Sequence, residues 1–233
     1  KDFAEIAVVA REWAMLNPKA VMHSKETHPF GGPIDLETVL SSRPIAWPLN
    51  LLDCCLVTDH GGAVVIVSKE QATEYKNDPV WIEGSGEAIS HINMSQMEDM
   101  TMTSAHLSSK RAYEIAGMGP KDMEMAMLYD SFTYTAGVTA EMVGLAPRGE
   151  GTNLWKNGLA SPKGKFPINT NGGGLSYSHS GMYGMLLLIE AQRQLAGKAS
   201  GLEGRQTTAK SAIVNGTGGP LASTGTIILT VDR

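Results

Sequence analysis

The chain has 233 residues, of which 42% are hydrophobic and 18% charged, and its formal net charge is −5. This composition is typical of a globular protein of one large or two small domains, and mild acidity with scattered lysines and arginines argues against a nucleic-acid surface. No apolar run approaches the roughly 20 residues that cross a bilayer, and no signal-peptide pattern opens the chain, so we expect a cytoplasmic protein.

The first 79 residues are predicted to be mostly helix and loop. A helical apolar pattern opens the chain and should end before Asn17, because proline at position 18 disfavours helical backbone in the residue before it. A loop rich in proline and glycine covers residues 21–49, and loops of this length are more often functional than passive. The elements predicted here are a helix within 1–16, a short helix over 36–40, a buried strand over 64–68 and a helix over 69–75. Because the chain opens directly on a helix, without methionine, we expect it to be the later part of a longer protein.

From residue 80 onward, predicted strands alternate with predicted helices. The elements are a strand over 80–88, a helix over 105–116, a strand over 123–129, a helix over 132–143, a helix from 182 to about 195, and strands over 211–215 and 224–231. Alternation of this kind predicts an α/β fold built in layers around a mixed sheet.

The most informative stretch lies between residues 167 and 195, where a triple glycine precedes a lone histidine and an apolar helix. Gly172–Gly174 predict a tight turn, since glycine adopts positive φ without strain and lets other groups approach closely. His179 then lies just before the predicted helix N-terminus, where free backbone N–H groups favour a developing negative charge. A neutral histidine there suits acid–base chemistry, and the alternative is that His179 only caps or packs.

Polar or glycine-rich loops follow several of the predicted strands. They cover residues 129–132, 169–181 and 215–219, and in layered α/β folds such loops gather on one face and build the site. In this arrangement Tyr129 would donate to a developing oxyanion, Asp130 would orient a partner and Ser131 would relay a proton. The alternative is that Asp130 or Ser131 caps the helix beginning at Phe132, and for Asp130 we favour capping.

Other chemistries find little support in the sequence. Cys54 and Cys55 are adjacent, which disfavours a bond between them, and no feature nearby would lower a thiol pKa, so we expect structural thiols. The six histidines are dispersed, which argues against a metal site. Dinucleotide and phosphate-binding glycine motifs are absent, as is the glycine elbow that a triad of Ser131, His179 and Asp130 would require.

Four blocks of sequence, in this order, resemble the thiolase superfamily, and most closely its sterol-carrier-protein-type branch. They are LLDCCLVTDHGGAVVIVS, MLYDSFTYTAGVTAEMVGL, INTNGGGLSYSHSGMYG and VNGTGGPLASTGTIIL. The resemblance implies a layered αβαβα thiolase fold, with residues 1–79 ending the N-terminal half and residues 80–233 forming the C-terminal half. It also implies a coenzyme A thioester as substrate, no covalently bound cofactor, a homodimer, and a possible small zinc-ribbon and OB-fold partner protein.

The resemblance also implies roles for individual residues. The family's nucleophilic cysteine would precede Lys1, so the chain alone should be inactive. His179 matches the histidine of the family's GHP motif, which activates the nucleophile and stabilises the thioester oxyanion, although serines flank it here. Residues 129–132 match the NEAF or HDCF segment, with Tyr129 in the Asn or His position and Ser131 in place of cysteine. The run at 216–218 matches the CxG motif without its cysteine.

These departures leave several functions open. The first is an acyltransferase that makes or breaks a C–C bond through an acyl-cysteine, with His179 as base and oxyanion donor and Tyr129 and Ser131 at the second proton-transfer site. Asn171 and the backbone N–H groups around Gly216 and Gly218 would then complete an oxyanion hole. The second is a thiolase-like retro-aldolase of the steroid side-chain type, which cleaves a β-hydroxyacyl-CoA through Tyr129. The third is a non-catalytic subunit that binds coenzyme A or a partner enzyme.

Overall fold

A computed structural model describes residues 1–76 and 79–231 of the chain. Its helices are α1 (Asp2–Met15), α2 (Leu36–Ser41), α3 (Lys69–Ala72), α4 (Ala105–Ala116), α5 (Thr133–Met142), α6 (Asn153–Lys156), α7 (Gly173–Ser176) and α8 (Gly184–Leu195). Its strands are β1 (Pro44–Ala46), β2 (Leu49–Asn50), β3 (Trp81–Ile89), β4 (Met125–Leu128), β5 (Ser211–Gly218) and β6 (Ser223–Thr230). Within these residues, no helix has the length and apolarity needed to cross a membrane.

The main sheet of the described residues has the strand order β3-β6-β5-β4. Strand β5 runs parallel to β4, with Leu128 opposite Asn215, and antiparallel to β6. Helices α4 and α5 contact one face of this sheet and α8 the other, so the predicted α/β layers with a mixed sheet are confirmed. A separate hairpin pairs β1 with β2.

Strand β4 is buried along its whole length, and its side chains alternate between the two layers. Met125 and Met127 pack in the cluster that includes α8, whereas Ala126 and Leu128 pack in the cluster that includes α1 and α5. Successive side chains of a strand point to opposite faces, so the next residue, Tyr129, shares the α8 side with the two methionines.

Helix α1 packs closely against the glycine turn. It ends at Met15, before the Asn17–Pro18 pair, as the sequence predicts. Gly172 has φ +108°, and a Cβ placed on it would come within 2.7 Å of the Ala14 Cβ, so only glycine lets the turn approach the helix this closely.

The strand predicted over residues 64–68 is wrong. This segment is irregular, Val65 is 85% exposed and Ile66 is 69% exposed, and no strand of the described residues pairs with it. An apolar run favours a strand only when a neighbouring strand satisfies its backbone groups and another layer covers its side chains.

Several boundaries also differ from the sequence predictions. Helix α8 begins at Gly184 instead of residue 182, because Gly181 takes a left-handed conformation with φ +77° and ends the preceding turn. The glycine-rich run at 216–218 is not a loop: β5 continues through it to Gly218, paired with β6.

Candidate active site

The site forms where the segment after β4, the glycine turn and the end of β5 meet. The Tyr129 backbone N–H donates to the Asn215 carbonyl at 3.0 Å, which fixes the first segment against β5. The ring centroids of Tyr129 and His179 lie 5.4 Å apart, with the rings nearly perpendicular. Two of the residues that sequence analysis selected are therefore in direct contact.

The phenol of Tyr129 lies in a mostly buried, aromatic environment. The residue is 8% exposed, and its ring makes an edge contact with Tyr183 at 5.7 Å. Burial raises the pKa of Tyr129 above its usual value, and a backbone hydrogen bond from Tyr183 offsets part of this effect. The side chain is therefore a neutral phenol at pH 7, able to donate a proton or a hydrogen bond.

His179 is half-buried and held through its backbone. Its N–H donates to the Thr58 Oγ1 at 2.9 Å, and its ring stacks on Tyr183 at 5.8 Å. The Nε2 atom is buried and has no hydrogen-bond partner among the described residues. Burial lowers the pKa of His179, so its imidazole is neutral at pH 7 and suited to accept a proton.

The glycine turn brings Asp130 and His179 close together. Gly173 has φ +70°, and any Cβ there would overlap the Asp130 carboxylate. A Cβ on Gly174 would lie 2.9 Å from the His179 Cδ2 and 3.1 Å from the Asp130 carbonyl oxygen. The glycines therefore provide the space in which the histidine ring and the carboxylate lie.

Asp130 caps this turn and not the helix that follows it. Its fully buried carboxylate accepts the Gly174 N–H at 2.7 Å and the Leu175 N–H at 3.4 Å. The prediction that Asp130 caps the helix beginning near Phe132 is wrong, because the first turn of α7 presents free N–H groups to it instead. Burial raises the pKa of Asp130 to about 7, even though these hydrogen bonds act in the opposite direction.

Ser131 and Asn171 flank this centre in different ways. The Ser131 Oγ lies 3.1 Å from the Thr135 Oγ1, so its hydroxyl interacts with α5, and no bond to His179 is found in the described residues. The Asn171 Oδ1 accepts from the Tyr183 hydroxyl at 3.0 Å, while its buried Nδ2 has no partner in this part of the chain. Asn171 thus holds Tyr183 and retains an unused donor.

The end of β5 supplies backbone instead of side chains. Because Asn215 directs its carbonyl at Tyr129, strand alternation directs the backbone of Gly216 and Gly218 towards β6, where they pair with Gly225 and Ser223. Thr217 is then the residue of this run whose N–H faces the Tyr129 side. The N–H groups of Gly216 and Gly218, the residues that the sequence analysis selected, therefore face β6 and not Tyr129.

Sequence analysis did not place the segment 54–58 in the site, although this segment connects the parts of the site. The Cys55 N–H donates to the Ser131 carbonyl at 2.9 Å, and the Leu56 N–H to the Gly174 carbonyl at 3.0 Å. Thr58 completes the connection through His179. The available signal was the block LLDCCLVTDHGG, whose polar Thr-Asp-His run closely follows the cysteines.

Both cysteines of the chain are half-buried and free. Burial raises the pKa of both thiols, that of Cys55 to about 11. Neither is a thiolate at neutral pH, which makes both poor nucleophiles.

The layered fold, with a histidine and a tyrosine meeting at the ends of parallel strands, defines a thiolase-type domain. Residues 86–231 match the family model described as "Thiolase C-terminal domain-like". The chain therefore belongs to this family, and the predicted membership of the thiolase superfamily is confirmed.

Similar curated proteins carry more than one activity. The chain is 34% identical to a "Steroid side-chain-cleaving aldolase" from Thermomonospora curvata, over its whole length and 57% of that protein. It is 33% identical to a "17-hydroxy-3-oxo-4-pregnene-20-carboxyl-CoA lyase" from Mycobacterium tuberculosis, over 84% of this chain and 50% of that protein. An "Acetyl-CoA acetyltransferase" from Methanothermobacter thermautotrophicus is 29% identical over 95% of this chain and 57% of its own. The chain thus spans only 50–57% of these relatives.

Solved structures agree with this placement. An "Ltp2-ChsH2(DUF35) aldolase" superimposes with a TM-score of 0.86 at 32% identity, covering all of this chain and 58% of that one. A monomeric SCP2-thiolase like protein type 1 from Mycobacterium smegmatis matches with a TM-score of 0.73 at 19% identity, covering 99% of this chain and 46% of that one. The second likeness concerns the fold alone.

Proposed function

We propose that this chain contributes the catalytic acid and base of a thiolase-like aldolase, which cleaves the Cα–Cβ bond of a β-hydroxyacyl-CoA. The observation that carries the proposal is the buried, neutral phenol of Tyr129 against the neutral imidazole of His179. A protonated acid and an unprotonated base side by side are what a retro-aldol reaction needs. The aldolase and lyase relatives support the same choice.

In the proposed reaction a base removes the proton of the β-hydroxyl group. The Cα–Cβ bond then breaks, the β-carbon becomes a ketone or aldehyde, and the electron pair of the broken bond forms the enolate of the remaining acyl-CoA. A protonated acid delivers a proton to the α-carbon and completes the thioester product. No oxidant, reductant or covalent intermediate is required.

The directions of the pKa shifts support a role for each residue. His179, with a lowered pKa and an unpartnered Nε2, takes the hydroxyl proton. Tyr129, with a raised pKa, delivers the proton to the enolate carbon. The Asn171 Nδ2 and the Thr217 N–H are proposed donors to the thioester oxygen while it carries negative charge.

The direct test uses the full-length protein, with its partner protein if it has one, and β-hydroxyacyl-CoA substrates that carry a bulky steroid-like or a short acyl group. Chromatography with mass spectrometry would follow the carbonyl product and the shortened acyl-CoA. Tyr129→Phe should lower kcat by about 100-fold or more, the usual range for loss of an acid–base group. Tyr134→Phe removes a hydroxyl bonded to the Met100 carbonyl and should retain wild-type activity. Full activity of Tyr129→Phe would reject the proposed role.

An acyltransferase remains the second candidate, because the acetyl-CoA acetyltransferase relative covers nearly the whole chain. It requires a nucleophilic cysteine other than Cys54 and Cys55, since the pKa of both of these thiols is raised. Incubation of the full-length protein with acetyl-CoA and longer acyl-CoAs, followed by intact mass measurement, separates the two. An acyl adduct on such a cysteine favours the acyltransferase. If His179→Ala leaves turnover of the complex unchanged, the chain is instead a non-catalytic subunit.

We also propose that the protein acts with a small zinc-ribbon and OB-fold partner, and that it forms a homodimer. The boundary between its two thiolase halves is proposed to lie between residues 79 and 80. The similar "Ltp2-ChsH2(DUF35) aldolase" carries in its name a ChsH2(DUF35) component beside Ltp2, which supports the first of these. Mass photometry of the full-length protein, alone and co-expressed with such a partner, would test both assemblies. A monomer that binds no partner would contradict them.

A further inference from the structure

We infer that His60 is a positioning residue for the catalytic turn that carries His179, an inference that rests on the proposed function of this site. The His60 side chain is exposed, yet both of its ring nitrogens contact the turn. Nδ1 lies 3.0 Å from the Ser178 Oγ, and Nε2 lies 3.4 Å from the Tyr177 hydroxyl. Its ring also packs on Tyr177, with centroids 5.3 Å apart.

The contact with Ser178 continues to the histidine. The Ser178 Oγ lies 2.8 Å from the Thr58 Oγ1, which accepts the His179 N–H at 2.9 Å. The Thr58 N–H approaches the His179 carbonyl at 3.4 Å. The backbone N–H and the backbone carbonyl of His179 therefore both contact Thr58. Ser178 in turn connects Thr58 to His60.

The hydrogen bonds from His179 through Thr58 and Ser178 to His60 can all run in the same direction, each hydroxyl accepting one bond and donating the next. Thr58 Oγ1 accepts from His179, so its own hydrogen is available for the Ser178 Oγ. The Ser178 hydrogen then points at His60 Nδ1, and the hydrogen on Nε2 points at the Tyr177 hydroxyl. In this arrangement His60 supplies the acceptor at the end of the hydroxyl chain.

Such an anchor matters because the His179 ring stacks on Tyr183 and makes an edge contact with Tyr129, while its buried Nε2 has no hydrogen-bond partner among the described residues to fix its direction. Side-chain bonds that fix the neighbouring residue restrict the backbone of the turn and so the direction of Nε2. Small displacements of an acid–base group reduce the rate of the chemical step more than the binding of substrate. His60 acts through Ser178 and Thr58 and has no contact with the catalytic side chains in the described structure.

The test compares variants at position 60 in the full-length protein. His60→Asn places an amide where Nδ1 lies and can still reach Ser178, whereas His60→Gln places its amide where Nε2 lies and reaches only Tyr177. We expect His60→Ala and His60→Gln to lower kcat about five- to tenfold with little change in KM, the effect of one lost hydrogen bond. His60→Asn should restore most of the activity. His106→Asn is the matched control, because the one hydrogen bond of the His106 ring found among the described residues is to the Thr103 carbonyl, just before α4.

A second readout does not need activity. In protein labelled with 15N-histidine, the side-chain signals of His179, assigned with His179→Asn, should shift or broaden in His60→Ala and match wild type in His60→Asn. Unchanged His179 signals in His60→Ala overturn the inference, as does equal rescue by Gln and Asn. If no substrate is cleaved by the wild type, the proposed function fails, while the spectra still decide the role of His60.

Discussion

At the scale of single residues, the proposed function depends on two side chains whose pKa values are shifted in opposite directions. Burial lowers the pKa of His179 and raises that of Tyr129. The sequence predicted both residues, because one precedes a helix and the other follows a buried strand. It did not predict Tyr183 or Thr58, since their contacts arise only when distant segments meet.

A pH–rate profile follows from these acidities. His179 must be neutral to act as the proposed base, so kcat/KM of the proposed aldol cleavage should fall only below about pH 6.5, the ordinary histidine value. Tyr129 must be protonated, so the alkaline loss should lie above about pH 10. Fixed-time assays from pH 5 to 10.5 would show a broad plateau in kcat/KM. A decline centred near pH 8 would contradict the assignment.

Asp130 makes stability depend on pH. Its carboxyl has a pKa of about 7 in the fold, whereas an unfolded aspartate titrates near 3.9, so the folded state binds the extra proton between these values. The contribution of Asp130 is therefore complete below about pH 4 and is lost as the pH rises to about 7, at up to about 1.4 kcal/mol per pH unit. Asp130→Asn, which stays neutral and can still accept the Gly174 N–H, should become more stable relative to wild type from pH 5 to pH 8.

Melting temperatures of both proteins at these two pH values would check this prediction. Asp99→Asn is a suitable control, because Asp99 is exposed and hydrogen bonds lower its pKa to about 2, so the carboxyl does not titrate between pH 5 and 8. A difference between Asp130→Asn and wild type that is independent of pH would mean that the carboxyl is ionised throughout the range.

At the scale of elements, local patterns predicted those parts whose neighbours are also local. Helix α4 has the predicted bounds because Gly117 ends it in a left-handed conformation, a signal written in the sequence. The strand predicted over residues 64–68 was wrong because a strand needs a neighbouring strand to pair with, and the residues of this segment do not specify one. Strand β5 was predicted too short because its glycines suggested a loop, while pairing with β6 extends it.

The packing of α4 on β3 gives a prediction of its own. A Cβ on Gly84 would overlap the Ala112 carbonyl oxygen and lie 2.8 Å from the Ala116 N, so Gly84→Ala must push the helix away from the sheet. We expect a loss of about 1–3 kcal/mol in the free energy of unfolding, the usual range for overpacking. Gly225→Ala in β6 meets nothing within 4 Å and should be nearly neutral. Urea titration of both variants would test the difference.

At the scale of the whole molecule, a buried ion pair joins α8 to the segments around it. The Arg205 Nη2 lies 2.6 Å from the Glu190 Oε2, and the other carboxylate oxygen accepts from the Thr170 hydroxyl at 2.7 Å. Thr170 precedes Asn171, so the Thr170 bond connects this pair to the segment that carries Asn171. The sequence did not predict the role of Glu190, because a helical pattern does not show which polar side chain finds a buried partner.

Arg205→Met should destabilise the protein by about 3–5 kcal/mol, since it leaves the Glu190 carboxylate buried without its cation. Adding Glu190→Gln should recover part of this loss. Lys156→Ala breaks the exposed pair with Asp2 and should cost less than about 1 kcal/mol. Denaturant unfolding of the full-length variants provides the comparison, and equal losses for the two pairs would contradict it.

The way in which the segment 129–132 is held also bears on how one fold supports different reactions. Two main-chain hydrogen bonds fix its shape. The Tyr129 N–H donates to the Asn215 carbonyl, and the Ser131 carbonyl accepts the Cys55 N–H. Such bonds survive the exchange of side chains, so evolution can replace the side chain at position 129 without rebuilding the sheet. Aldolases and acetyltransferases among the relatives are then expected to have diverged mainly by substitution at a few positions on a shared backbone.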